Sequence, residues 1–386
     1  MKESDSMYFS LLRSALWNGS EDAVRKVDWK NVLETARRQT TMGLVCHAGL
    51  QCEAGRALPQ KNKDFLRNKL VALARTHQRI NALIARIVTV LRDNGIESVL
   101  MKGQGMAANY PVAELRQCGD IDLYVGKQKY DEACALVNEM ASEAEAAKGY
   151  GTELNYHVVV DGVIVEIHRL TSLFYYREMN VIYEPYSDQG MAIGGNSMMI
   201  NGVNVWLPAD TFNALFVFHH AYHHFISGGI GMRQLCDWIL LLHAKCETIN
   251  RNELSDMLRR LHLMDAWQVF GCIAVDWLGL PKDEMPFYDG KCFKRAKRAV
   301  EIILKEGNFG IEWSMAKTHR KQTGWKRRLT TFLSIQVRQW RLLWVFPKIA
   351  LRQYREKTVG SEANAGGIDL LKACPPPDRY RGRGPS

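Results

Sequence analysis

The order of apolar and polar positions divides the chain into stretches of different period. Over residues 1–75, apolar positions recur at helical spacing in the short runs 7–17, 32–36, 42–48 and 63–73, which predicts a helical N-terminal region. Pro59 and the polar residues that follow it mark a break, and a longer helix is expected over about 77–93. The turn residues Asp93, Asn94 and Gly95 close it. The pattern then shortens to strand runs. An apolar stretch over 96–105 ends in Lys102, Gly103, Gln104 and Gly105. Residues 157–160 and 163–168 are β-rich and joined by Asp161-Gly162, a hairpin signal, and Asn201-Gly202 marks a second hairpin inside 197–207. From Pro208 onward helical spacing returns: Asp210 is placed to cap a helix over 211–226, another is expected over 232–243, and the pattern continues to Glu306 with Pro281 dividing it.

Within the strand-like part, residues 119–125 read Gly-Asp-Ile-Asp-Leu-Tyr-Val. Side chains at i and i+2 of a strand share a face, so Asp120 and Asp122 project together while Ile121 and Leu123 turn to the core. Two carboxylates roughly 6–7 Å apart repel unless a cation lies between them. Mg²⁺, or Mn²⁺ in its place, takes carboxylate oxygens together with substrate phosphates and is the natural neutraliser. In the run 163–168, Ile164, Glu166 and His168 share a face, which makes Glu166 a third acid in an otherwise apolar strand. A metal-dependent phosphoryl or nucleotidyl transfer is the chemistry this combination predicts. An Asp-x-Asp pair alone also fits a solvated strand edge, or a glycosyltransferase that binds a nucleotide-sugar through its metal.

Lys102-Gly103, Arg116, Gly119-Asp120-Ile121-Asp122-Leu123 and Val165-Glu166-Ile167-His168 together resemble the uncharacterised nucleotidyltransferase family of the polymerase-beta-like superfamily, over about residues 75–245. The turn carries Gly103-Gln104 where Gly-Ser is usual, and the third acid is Glu where Asp is commoner. The resemblance implies an α+β fold, with a small mixed sheet flanked by helices and helical regions at both ends. It implies a two-ion nucleotidyl transfer with pyrophosphate release, in which the catalytic and metal-binding Asp120 and Asp122 hold both ions and Glu166 completes the ion nearer the acceptor and helps to deprotonate its hydroxyl. Lys102, Gly103, Gln104, Arg116, His168 and Arg233 become candidate contacts to ATP or another nucleoside triphosphate, with Gly103 and Gly105 letting backbone N–H groups approach phosphates ahead of a helix near Met106. The bland alternatives are a solvated Lys102, an Arg116 paired with Glu114, a core-edge His168, and an Arg233–Asp237 surface pair. The organisation expected is a helical region over 1–75, a catalytic domain over 76–207, a helical domain closing the cleft over 208–310, a basic aromatic segment over 311–359 and a disordered tail over 360–386.

Composition narrows the class. Nine cysteines are scattered without a Cys-x-x-Cys pair, so neither a disulfide framework nor a zinc knuckle is expected. No run is apolar enough to span a membrane and no basic-then-apolar leader opens the chain, so a cytoplasmic enzyme is expected. His219, His220, His223 and His224 form two i,i+4 pairs, a spacing that can hold a transition metal, although lining of the cleft by one or two of them fits better. The net charge of +10 is concentrated: residues 313–359 carry 12 Lys/Arg against one acid, Glu356. Aromatic and apolar residues interleave with that charge over 330–355, so peripheral membrane contact, docking on the protein's own bundle and contact with nucleic acid all fit. The acceptor hydroxyl, on a small molecule, a protein or an RNA, is open. A non-catalytic membrane-surface protein on a degenerate fold of this kind is a further alternative.

Overall fold

The computed structural model describes residues 3–19, 27–174, 176–308 and 340–347. Seven strands form one mixed sheet: β1 (Val99–Met101), β2 (Asp120–Tyr124), β3 (Tyr150–Gly151), β4 (Asn155–Val160), β5 (Val163–His168), β6 (Ser197–Ile200) and β7 (Val203–Trp206). Their spatial order is β3-β4-β5-β2-β1-β7-β6. The chain is thus α+β, as expected. β4–β5 and β6–β7 are antiparallel hairpins. Their turns place Asp161 and Gly162, then Asn201 and Gly202, at positive φ, the conformation that two-residue hairpins of matching twist require. β2 runs antiparallel to β1 and parallel to β5.

Alternation along the strands divides the apolar residues between two cores. Leu100, Ile121, Leu123, Val163, Val165 and Ile167 face the helices Gln60–Asp93 and Tyr130–Glu139. The long helix meets them with Ile80, Leu83, Ile84, Ile87, Val88 and Leu91, one stripe at helical spacing. It is a single helix from Gln60 onward and runs unbroken through the boundary expected at residues 75 and 76. Pro59 is tolerated because it precedes the helix, where the missing N–H is not needed.

On the opposite side, Val99 and Met101 join a larger core. It is built from the helices Asp210–Ser227, Met232–Ala244, Arg251–Arg260, Met264–Asp276 and Phe293–Glu306. The N-terminal helix Glu3–Trp17 belongs to that same core through Tyr8, Phe9, Leu11, Leu12, Ala15 and Leu16. Hydrogen bonds fasten the N-terminal helices to this bundle: Trp17 Nε1 donates to Leu278 O at 2.7 Å and Gln39 Nε2 to Ile303 O at 2.9 Å. Asp210 is the first residue of its helix and not its cap. Its carboxylate accepts from Asn196 at 2.7 Å and from Thr248 at 2.6 Å. Of the basic segment, only residues 340–347 are among those described, and the tail expected over 360–386 lies outside them.

Candidate functional site

The register of β2 against β5 builds the site. Asp122 pairs with Glu166 across the parallel ladder, two residues from the Asp120–Ile164 pair. Because neighbours in register point the same way, Asp122 and Glu166 project from adjacent strands onto one face, away from Ile121 and Val165. On the other side β1 pairs Met101 with Asp122, so Lys102 follows directly beside the acids.

Lys102 Nζ lies 2.8 Å from Asp122 Oδ1. Its backbone sits at φ 51° and ψ −137°, a conformation that costs a non-glycine residue on the order of 1–3 kcal/mol and persists only where the surroundings enforce it. The five-residue helix Gly103–Ala107 starts immediately after it, earlier than the helix expected near Met106. Gly105 lies inside that helix, and a Cβ there would come within 3.1 Å of the Leu207 side chain, so this glycine serves close packing.

His168 closes the cluster. Its Nε2 is hydrogen-bonded to Asp122 Oδ1 at 3.1 Å and lies 3.3 Å from Glu166 Oε2. From β4, Asn155 Nδ2 donates to Glu166 Oε2 at 2.7 Å, and His157 Nδ1 stands 3.2 Å from Glu166 Oε1. The His157 ring is held flat against Tyr150, with centroids 4.6 Å apart. Sequence reasoning missed His157 and Asn155. The signal was the antiparallel hairpin itself, which sets His157 directly opposite Glu166.

The charges divide accordingly. Burial would raise the Asp122 carboxyl, but Lys102 and the hydrogen bond from His168 outweigh it and hold the group below its ordinary range. Burial also opposes ionisation of Glu166, yet His157 and His168 hold it well below the usual carboxylate value. Burial together with repulsion from Asp122 and Glu166 pushes Asp120 up, partly offset by Arg233 and Lys102. The imidazole of His168 would be lowered by burial, and its two acidic neighbours raise it instead.

One carboxylate oxygen each of Asp122 and Glu166 and one nitrogen of His168 lie within 4.8 Å of one another, close enough to share a cation. Oxygen donors suit Mg²⁺ and Mn²⁺, and the imidazole adds a preference for the latter. Asp120 stands beside this trio without joining it. The four histidines of helix Asp210–Ser227 form no such group among the described residues. Two of them stand on the wall near the acids: the Phe216 ring lies 6.0 Å from Lys102 Nζ, and His220 and His224 follow it at i+4 and i+8 on the same helical face, while His219 stacks on Phe174 and bonds Ser172. Burial first, then Lys102 and other nearby groups, keeps His220 well below its ordinary value, so it is neutral.

Two expected nucleotide contacts sit elsewhere. Arg116 forms a bidentate pair with Asp237, Nε and Nη2 each 2.8 Å from a carboxylate oxygen, and both side chains are almost wholly buried. Tyr110 adds a 2.7 Å hydrogen bond to the same carboxylate. Arg116 is therefore a clamp between the segment entering β2 and the helix Met232–Ala244, and its partner is Asp237 and not Glu114. Gln104 is also turned inward, its Nε2 donating to Asn81 Oδ1 at 2.5 Å and its Oε1 accepting from Cys118 at 2.8 Å. A buried side chain satisfies its polar atoms internally, which spacing along the chain does not reveal. Arg233 is mostly buried, 4.0 Å from Asp237, and its charge acts on Asp120; it is not the surface pair considered above.

A family model described as an uncharacterised nucleotidyltransferase matches residues 25–279. A solved structure of an antigenic nucleotidyltransferase-like protein from Paracoccidioides brasiliensis is similar at 15% identity, covering 52% of this chain and 92% of that one with a TM-score of 0.30, too low to carry an argument. A search of curated proteins finds no match. Among the described residues, no helix is long and apolar enough to cross a membrane.

Proposed function

Because the chain belongs to the uncharacterised nucleotidyltransferase family, we propose that it moves a nucleoside monophosphate from a nucleoside triphosphate to an acceptor hydroxyl. The acceptor oxygen attacks the α-phosphorus, the bond to the bridging oxygen breaks, and pyrophosphate departs with the electron pair. The hydroxyl proton passes to water. Asp122, Glu166 and His168, with Asp120 adjacent, would hold a divalent ion, Mg²⁺ or Mn²⁺, which would supply positive charge where the displacement builds up negative charge.

The protein's own groups do the rest. Lys102, fixed beside Asp122, and Arg233, beside Asp120, neutralise phosphate charge. His157 and His168 hold Glu166 below the ordinary carboxylate range, so it is ionised, as a cation ligand has to be. Asn155 and His157 orient it, and the His168 nitrogen would be a third donor to the cation. Arg116 and Gln104 act on this site only by fixing the segments that carry Asp120 and Lys102.

The observation that supports this reading best is the Asp122–Glu166 register, which brings carboxylates from two strands to one point beside a lysine. The test is incubation with each α-labelled triphosphate, Mg²⁺ or Mn²⁺ and cell extract. Label transfer with pyrophosphate release is expected, and it disappears in Asp122→Asn while the circular dichroism spectrum is retained. Transfer from nucleotide-sugars without pyrophosphate release would identify a glycosyltransferase instead.

A further inference from the structure

The helix Phe293–Glu306 turns Ala296, Ala299, Val300 and Ile303 into the core. Its outer side shows Phe293, Lys294, Lys297, Arg298 and Lys305, with Glu301 among them. Residues 340–347 lie against this helix. Leu342, Val345 and Phe346 are buried, and Phe346 meets Tyr222 edge-on at 5.3 Å and Phe225 at 5.9 Å. Arg295 Nε donates to Val345 O at 2.7 Å, so the segment is anchored on the bundle.

Its other side is unlike a folded surface at rest. Trp340 and Trp344 are 65% and 61% exposed, and Phe293 is 47% exposed. The two tryptophans are four residues apart, and the Arg298 guanidinium lies 4.9 Å from the centre of the Trp344 ring. Phe293 stacks on Trp277, but the two tryptophans, left in water beside several cations, form a mixed apolar and basic face that nothing covers among the described residues. The same cationic character extends along the sequence on both sides, where 313–359 holds 12 Lys/Arg and a single acid.

We propose that this face docks on an anionic lipid surface. Tryptophan is the side chain best suited to the headgroup level of a bilayer, where its ring is buried and its N–H stays wet. Lysine and arginine beside it are drawn to the negative surface potential. Single-stranded nucleic acid would also use aromatic and basic groups, but it needs open ring faces for stacking. One face of Trp344 is already taken by Arg298, which leaves the ring edge free for insertion between headgroups. The proposal is independent of the reaction proposed above, because none of these residues belongs to the acid cluster.

The test is co-sedimentation of the full chain with vesicles of phosphatidylcholine alone and with about one-third phosphatidylserine. Binding to the anionic vesicles is expected, falling as salt is raised. Lys297→Gln should weaken it about fivefold, and Trp340→Ser with Trp344→Ser about tenfold or more. Both tryptophans are exposed, so the double variant should keep its circular dichroism spectrum. Quenching of tryptophan fluorescence by brominated lipid supplies a second readout, expected for the native chain and reduced in the double variant. Failure to bind anionic vesicles at low salt, equal binding and quenching by the double variant, or displacement from vesicles by single-stranded RNA would overturn the proposal.

Discussion

Replacing Arg116 by methionine removes the positive half of a buried ion pair and leaves its acid behind. Asp237 then keeps the Tyr110 hydroxyl at 2.7 Å and an Arg233 nitrogen at 4.0 Å, neither of which replaces two hydrogen bonds of 2.8 Å from a planar guanidinium. The Asp237 side chain is only 6% exposed, so water does not substitute. Breaking such a pair costs about 3–5 kcal/mol, mostly the penalty of a stranded charge. Converting both residues, Arg116→Met with Asp237→Leu, removes that penalty and should recover most of the loss. Urea denaturation of the native chain, both single variants and the double variant gives the coupling energy, expected to be at least about 3 kcal/mol. A loss below about 1 kcal/mol for Arg116→Met, or a double variant that merely sums the singles, would show that the pair is not the clamp described here. The segment from Arg116 leads into Asp120, so the single variant should also weaken divalent-cation binding without altering any ligand.

Further outcomes follow from the same geometry. Calorimetric titration should detect divalent-cation binding that Glu166→Gln abolishes, with Mn²⁺ bound more tightly than Mg²⁺ because an imidazole is among the donors. Lys102→Met should lower label transfer by at least about a hundredfold, roughly 3 kcal/mol of transition-state stabilisation, while the protein stays folded. His219 is buried, stacks on Phe174 and bonds Ser172; burial, then His223 and His224, lowers it to about 3. A group neutral in the fold but protonated when unfolded favours the folded state above its unfolded value, and that contribution is lost as pH falls from 6.5 toward 3. Lowering pH from 7 to 5 should therefore cost about 2 kcal/mol through His219. His219→Gln should flatten that part of the stability profile.

What could be read in advance was whatever depends on local period. Alternation in 120–124 and 163–168 was enough to set Asp120, Asp122, Glu166 and His168 on one side and Ile121, Leu123, Val165 and Ile167 on the other, and the Asp-Gly and Asn-Gly turns marked both hairpins. Contacts between distant segments were not legible. Arg116 and Asp237 are 121 residues apart, and nothing near either one announces the other. The resemblance makes Gln104 a phosphate contact because it stands where the turn usually has Ser, whereas its amide bonds Asn81 and Cys118. The helix Gln60–Asp93 was split in expectation because its first half is largely exposed and so carries a weak apolar pattern, although backbone hydrogen bonding continues through it.

The lysine wedged against Asp122 bears on how the protein is assembled. Its ammonium and the neighbouring imidazole lie where a cation's charge is needed, so the nascent sheet can close over its acids in metal-poor surroundings. Under the proposed reaction, maturation and loading would be separate events: the polypeptide would reach its final shape first, and an incoming ion would displace a tethered stand-in from carboxylates already in position.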